Sequence, residues 1–353
     1  MKAYVRHEMG KLGWMEKPDP VCGPDEVICR PLAISPCSSD VHTAWEMDGP
    51  WLKDITLGHE ALGEIIEAGP LVKDFKVGDK VIVPCTTPTW KHPDIQDGYH
   101  QDAGGLFQGI NFSNYEDGTM AEKFVVRSAD MNLCKLPEGL SYEKALMIVD
   151  MMTTGFHGAE LGEVKFGDTV VVFGIGPVGL MAVAGSKLMG AAQLIAIGTR
   201  PNCVKIAKEY GATDIVSYKD GDLVQQIMEL TGGRGADVAI VAGGTAETLA
   251  QAYAVTRCGG HMVNLNVITG VSEFKFDYAA SAGGFMGHKT INGGLCPGGR
   301  RRAERLTAMV LADRVDTSRL ITHTFHGLDK IDEALHLMKD KPADLIKPIV
   351  YCD

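Results

Sequence analysis

Residues 169–181 read TVVVFGIGPVGLM. A five-residue β-branched and aromatic run ends at Gly174-Ile175-Gly176-Pro177-Val178-Gly179, and an apolar helical pattern follows at once. This is G-x-G-x-x-G in the context its chemistry requires. The first glycine permits a tight turn, the second lets the backbone approach a pyrophosphate, and the third allows the helix to pack closely on the strand. The helix N-terminus attracts the anion. The stretch therefore predicts a dinucleotide site on the first βα turn of a doubly wound sheet.

The same texture continues downstream. Strands are predicted at 194–197, 214–217, 238–242 and 261–266, alternating with helices at 178–189, 202–210, 222–230 and 246–256, and a sixth strand near 290–292. Short apolar strands alternating with helices mark a parallel α/β sheet, here of six strands.

A site for NAD usually carries an Asp or Glu about 20 residues on, at the end of the second strand, to hold the ribose 2′-hydroxyl. This chain has Gly198-Thr199-Arg200 there. A carboxylate would repel a 2′-phosphate, whereas a small residue, a hydroxyl and a guanidinium make room for one and bind it. NADP(H) is the expected cofactor. Tyr218, ending the third strand, is placed to close over the adenine and phosphate, or is an ordinary strand-end aromatic.

Upstream the sequence changes character. The first 150 residues hold short β-branched runs at 26–31, 62–67 and 80–84 between Gly- and Pro-rich turns, the pattern of a mainly β domain. With 353 residues the chain is too long for one core of usual size. The expected boundaries are 1–152, 153–295, and a return of 296–353 to the first domain. A net charge of −11 gives no basic face for nucleic acid. No stretch reaches the roughly 18 uninterrupted apolar residues of a membrane span, and the N-terminus lacks the apolar run of a secretory signal. A cytoplasmic location is expected. Nine scattered cysteines, with no C-x-x-C pair, argue against a disulfide framework.

Within this region Gly58-His59-Glu60 opens the pattern G-H-E-x-x-G-x-x-x-x-x-G-x-x-V, through Gly63, Gly69 and Val72, and the run 78–83 follows it. The pattern resembles the signature of zinc-containing medium-chain alcohol dehydrogenases, and the likeness spans nearly the whole chain. It implies a GroES-like catalytic domain beside the nucleotide domain. It also implies a catalytic zinc held by Cys37 of Ser35-Pro36-Cys37-Ser38-Ser39-Asp40, by His59, and by a third ligand before the nucleotide domain. Many relatives use Cys or Glu at that third position; here it is Asp150, and the chain is most similar to the NADP-dependent secondary alcohol dehydrogenases of bacteria and protists. In that group the Glu after the His, here Glu60, is a fourth, exchangeable ligand.

A thiolate, an imidazole and a carboxylate leave one tetrahedral position open, which is how catalytic rather than structural zinc sites are built. Residues 90–115 contain no cysteine, so the structural zinc of many family members is expected to be absent, leaving one zinc per chain. Such a zinc polarises a ketone oxygen for hydride attack or lowers the pKa of an alcohol. The resemblance makes Ser39 and His42 a proton relay. An imidazole suits that work near neutrality, or His42 is a surface histidine. The resemblance also places Thr154 near the nicotinamide, adds Leu265, Asn266, Val267 and Lys341 to the cofactor contacts, and puts Cys85, Ile110, Val267 and Leu295 in the substrate pocket. Ile110 and Val267 stand where relatives carry bulky aromatics, so a wider pocket is expected. Cys296 reads as a packing residue, and His157, His288 and His323 as structural.

The implied function is interconversion of a small or medium secondary alcohol with its ketone, also of some aldehydes, by a homotetramer. Two rivals stay open. One is an NAD-dependent polyol or amino-alcohol dehydrogenase, against which the Gly-Thr-Arg run argues. The other is a catalytically silent NADPH-binding protein, against which the Cys, His, Glu and Asp set argues.

Overall fold

The computed structural model describes residues 1–105, 108–268, 273, 275 and 284–352. They fall into two compact units, residues 1–153 with 296–353 and residues 154–295.

The second unit is built on the strand Thr169–Phe173, which pairs in parallel with Gln193–Ile197 on one side and Ala236–Val241 on the other. The sheet extends outward to Asp214–Val216 at one edge and through Thr256–Asn264 to Thr290–Gly293 at the other. All six positions of Ala236–Val241 are buried, as expected of a strand covered by helices on both faces. The helices Pro177–Leu188 and Pro201–Glu209 each begin on a proline, one residue before their apolar periodicity becomes visible in the sequence. Proline suits that first position because its missing N–H has no intrahelical partner there. The fifth strand ends at Asn264 rather than running to residue 266, because Asn264 Oδ1 captures the Asn266 N–H at 3.2 Å and turns the chain.

The first unit centres on a seven-stranded sheet. Its path runs Ile321–His326, Lys347–Tyr351, Val27–Ile34, Ala61–Ala68, Lys80–Val83, Cys134–Lys135, with Phe124–Val126 also paired to Val27–Ile34. A smaller sheet joins Lys11–Glu16, Lys2–Glu8 and Ile55–Thr56. Val27, Ile34, Ala61, Ile65, Val81 and Val83 share one hydrophobic core with Ile331 and Leu335 of the helix Ile331–Asp340.

Register decides what this sheet positions. Ile34 lies opposite Ala61, and Ala61 opposite Val83. The segment carrying Cys37, the segment carrying His59 and Glu60, and the chain leaving Val83 therefore meet at one end of the sheet. Val350 pairs with Ile34, which brings Lys347–Tyr351 alongside. The Cys85 N–H donates to Val149 O at 3.0 Å and ties in the segment of Asp150. That segment, Ile148–Met152, is a single π-helical turn, a form common at functional sites because the widened turn re-aims its side chains.

Candidate metal centre and dinucleotide site

Cys37, His59, Glu60 and Asp150 each offer a ligand atom, and these atoms lie within 4.8 Å of one another. Cys37 Sγ is 3.7 Å from Asp150 Oδ2; His59 Nε2 is 3.5 Å from Asp150 Oδ2 and 3.9 Å from Glu60 Oε1. With bonds of about 2.0–2.3 Å, a tetrahedral zinc sets sulfur–oxygen and nitrogen–oxygen edges of about 3.3–3.5 Å, within a few tenths of the two separations to Asp150, while Glu60 stands further off. All four residues belong to the first unit.

Two buried residues organise this set, and neither was singled out from the sequence. Asp40 sits in the first turn of the helix Ser38–Trp45. Its Oδ2 accepts from the Cys37 N–H at 2.8 Å, and its Oδ1 from the Gly58 N–H at 3.1 Å; Oδ1 also lies 3.2 Å from His59 Nδ1. One carboxylate thus joins both ligand segments and fixes the imidazole with Nε2 toward the other donors, the usual outer-sphere arrangement of a metal-binding histidine. Its local signal was legible: an acid three residues after Cys37, at the capping position of the helix.

Lys347 is fully buried, and its Nζ donates to Glu60 Oε1 and to Pro36 O, both at 2.7 Å. Burial opposes its charge, but the Cys37 thiolate and the Glu60 carboxylate outweigh it and hold the lysine well above its usual range. Burial alone would raise the Cys37 thiol too, yet Lys347 and then His59 bring it below its ordinary value. Burial pushes Glu60 well above the usual carboxylate range against the pull of Lys347. His59 is raised well above its usual value: burial works against the charge, and the Asp40 and Asp150 carboxylates more than offset it.

Glu60 Oε2 is buried without a hydrogen-bond partner. Asp40, Glu60, Asp150 and the Cys37 thiol face the Lys347 ammonium and the His59 imidazole, an excess of acidic groups that a divalent cation would neutralise. A soft sulfur, an imidazole and carboxylate oxygens suit zinc better than calcium or magnesium. The residues present fit the metal.

Ser39 Oγ lies 3.1 Å from His59 Nε2. His42 is on the same helix, three residues further, with Nδ1 2.6 Å from Glu46 Oε2. Cys85 is buried near the centre, its sulfur 3.6 Å from that of Cys296. Ile110 is half-buried in the same unit, its carbonyl accepting from Asn114 Nδ2 at 3.0 Å. Lys341 is exposed and closes the helix Ile331–Asp340 in a left-handed conformation.

In the second unit, Gly174 turns the chain with φ +85°, and a Cβ there would come within 3.0–3.2 Å of the Gly243 backbone. A Cβ on Gly179 would strike Gly174 O at 1.9 Å. These are the turn and the close packing that the glycine motif requires. A Cβ on Gly176 would meet little besides Arg200 Nη2, at 3.8 Å, so the middle glycine faces open space beside the guanidinium. Such a hollow has the room and the charge to receive a phosphate. Thr199 Oγ1 donates to Tyr218 Oη at 3.0 Å, bringing the ends of the second and third strands together. Asn266 Nδ2 donates to Gly244 O at 3.1 Å, Leu265 N–H donates to Val241 O at 2.8 Å, and Val267 and Leu295 are partly exposed. Thr154 lies in the first turn of the helix Thr153–Leu161.

Residues 23–138 match the model of the alcohol dehydrogenase GroES-like domain, and residues 177–310 that of the zinc-binding dehydrogenases. The NADP-dependent isopropanol dehydrogenase of Thermoanaerobacter brockii is 54% identical over 99% of both chains. The enzyme of the same name from Entamoeba histolytica is 50% identical over 99% of this chain and 95% of its own. Among solved structures, an alcohol dehydrogenase from Thermus sp. ATN1 superposes with a TM-score of 0.85 at 26% identity, covering all of both chains. A chain that shares half its residues with such relatives along its whole length, and that folds as they do, belongs to the zinc-dependent medium-chain alcohol dehydrogenase family.

Proposed function

We propose that the protein is an NADP(H)-dependent secondary-alcohol dehydrogenase that works with one zinc per chain. The observation that carries this is the buried Cys37, His59, Glu60 and Asp150 set with its excess of acidic groups. Cys37, His59 and Asp150 would hold the metal, with Glu60 as an exchangeable fourth donor, and the second unit would bind NADP(H). When bound, zinc supplies Lewis acidity toward the substrate oxygen and the nicotinamide supplies or accepts the hydride.

The chain's own part is positioning and proton transfer. Asp40 orients His59, and Lys347 favours the Cys37 thiolate and anchors Glu60. Ser39 Oγ stands beside the donor set, where a hydroxyl can take the substrate proton and pass it on. His42, with its ring against Glu46, exchanges that proton with solvent. Thr154 and Lys341 belong to the proposed nicotinamide and phosphate contacts.

The Gly198-Thr199-Arg200 run supports the phosphorylated cofactor. A Cβ on Gly198 would lie 2.3 Å from Ile175 Cγ1, so the acidic side chain of the NAD-dependent reading has no room without displacing Ile175. Arg200→Ala is expected to raise KM for NADPH by about 10–100-fold, the loss of one or two hydrogen bonds to a charged group, and to leave that for NADH unchanged. Steady-state kinetics with both cofactors decide it; an equal loss for both would remove Arg200 from the 2′-phosphate.

Elemental analysis together with NADPH oxidation by a short methyl ketone tests the whole reading. One zinc per chain, and activity abolished by chelation and restored by zinc, is the expected result; folded, zinc-free protein with full activity refutes it. The family resemblance sets Ile110 and Val267 where relatives carry bulky aromatics, and each lost ring would free volume for a larger substrate. Aryl or cyclic ketones should therefore match or exceed acetone in kcat/KM, and a strong preference for acetone would sink the wide pocket. The assembly is proposed to be a cytoplasmic homotetramer, checked by light scattering in solution.

A further inference from the structure

Cys85 and Cys296 lie 211 residues apart in sequence, yet their sulfurs are 3.6 Å apart and both side chains are buried. Together with a carboxylate oxygen of Asp150 they form a second group of donors, all within 4.8 Å of one another. The surroundings are close-packed. Thr86 Oγ1 donates to Cys296 O at 3.2 Å, and a Cβ on Gly298 would strike Thr86 O at 1.9 Å, so the chain after Cys296 is pressed against the Cys85–Thr86 backbone.

Two sulfurs so placed can pack, join as a disulfide, or clamp an ion. A disulfide needs a separation of about 2.05 Å, a closure of roughly 1.5 Å inside a packed interior. A tetrahedral ion with metal–sulfur bonds of about 2.3 Å, by contrast, sets its two sulfurs about 3.8 Å apart. The observed spacing is within a few tenths of an ångström of that value.

We infer that Cys85, Cys296 and Asp150 form a second metal site, for a thiophilic divalent ion, that shares the Asp150 carboxylate with the first centre. The role of Asp150 in the first centre rests on the proposed function; the two thiols do not. Binding converts two thiols and M²⁺ into a dithiolate complex and releases two protons to solvent, with no change of oxidation state. Two sulfur donors select Cd²⁺ or Zn²⁺ over Mg²⁺ or Ca²⁺.

The test titrates the full-length zinc-loaded protein with Cd²⁺, following both metals by elemental analysis after dialysis and the ultraviolet sulfur-to-cadmium charge-transfer band. The expected result is one further Cd²⁺ per chain with zinc retained. Cys85→Ala and Cys296→Ala should each weaken that second equivalent by more than about 100-fold, beyond what losing an outer partner does. In Cys37→Ala the first equivalent is lost and the Cys85-dependent one remains, which separates failure of this proposal from failure of the zinc reading. Should the alanine variants fold poorly, the ¹¹³Cd resonance of the unmodified protein reports two-sulfur ligation directly. One-for-one replacement of zinc, a second equivalent unaffected by either alanine, or a second resonance of oxygen-only type would overturn the site.

Discussion

Replacing Lys347 with methionine is expected to lower the stability of the metal-free first unit by about 3–5 kcal/mol, the usual cost of leaving one member of a buried ion pair behind. The reason is local. Lys347 and Glu60 are both wholly inaccessible to solvent, and their 2.7 Å contact is far closer than that of His59, whose Nε2 lies 3.9 Å from Glu60 Oε1 and whose ring is already held by Asp40 and Asp150. Methionine fills most of the lysine's volume, so a loss reflects charge rather than a cavity. The same change removes the positive charge that favours the Cys37 thiolate, so zinc affinity should fall with it. The downshift of the urea midpoint of the zinc-free protein measures the first effect. Glu60→Gln in the same chain should recover most of the loss, because the pair is then replaced by groups of similar shape without charge. If Lys347→Met leaves the midpoint where it was, the pair is not what holds this end of the sheet.

The second large effect belongs to Asp40. Asp40→Ala should weaken zinc binding by about 10–100-fold, although no bond to the metal is altered. The carboxylate joins Cys37 N, Gly58 N and His59 Nδ1, and without it the imidazole is free to rotate and both ligand segments lose a shared anchor. Competition with a chromogenic chelator gives the affinity. Asp40→Asn, which keeps one acceptor oxygen for a backbone N–H, should fall between wild type and alanine. Zinc affinity unchanged in Asp40→Ala would remove Asp40 from the design of the centre.

The six-stranded sheet was legible because its strands are short apolar runs whose burial on both faces erases alternation, and because helices with their own period separate them. The glycine motif was legible for a stronger reason: each glycine answers a steric demand now visible at Gly174 and Gly179. Element ends were less so. The fifth strand begins at Thr256 where the sequence suggested residue 261, since Arg257, Gly259 and Gly260 carry no strand signal of their own. The donor set was reached through family pattern, not through spacing, because Cys37, His59 and Asp150 are assembled by strand register.

Lys347 escaped notice because its partners are 287 and 311 residues away, and a lone lysine in the run 345–351 reads as a side chain reaching for solvent. The π-helical turn that presents Asp150 left no trace either. Nothing in Ile148-Val149-Asp150-Met151-Met152 distinguishes it from an ordinary apolar helix.

Lys347 also sets a schedule. Its strand follows the nucleotide-binding unit in the chain, so the segment that completes the charge balance around Cys37 and Glu60 is made 287 residues after Glu60 itself. At about 5–20 residues per second the interval is roughly 15–60 s. During biosynthesis an entire second unit is translated before the residue that balances this charge is made. The charge balance of the metal centre is thus completed only by the last strand of the chain. A nascent chain stalled before that strand would carry a finished nucleotide fold and an unfinished site for metal.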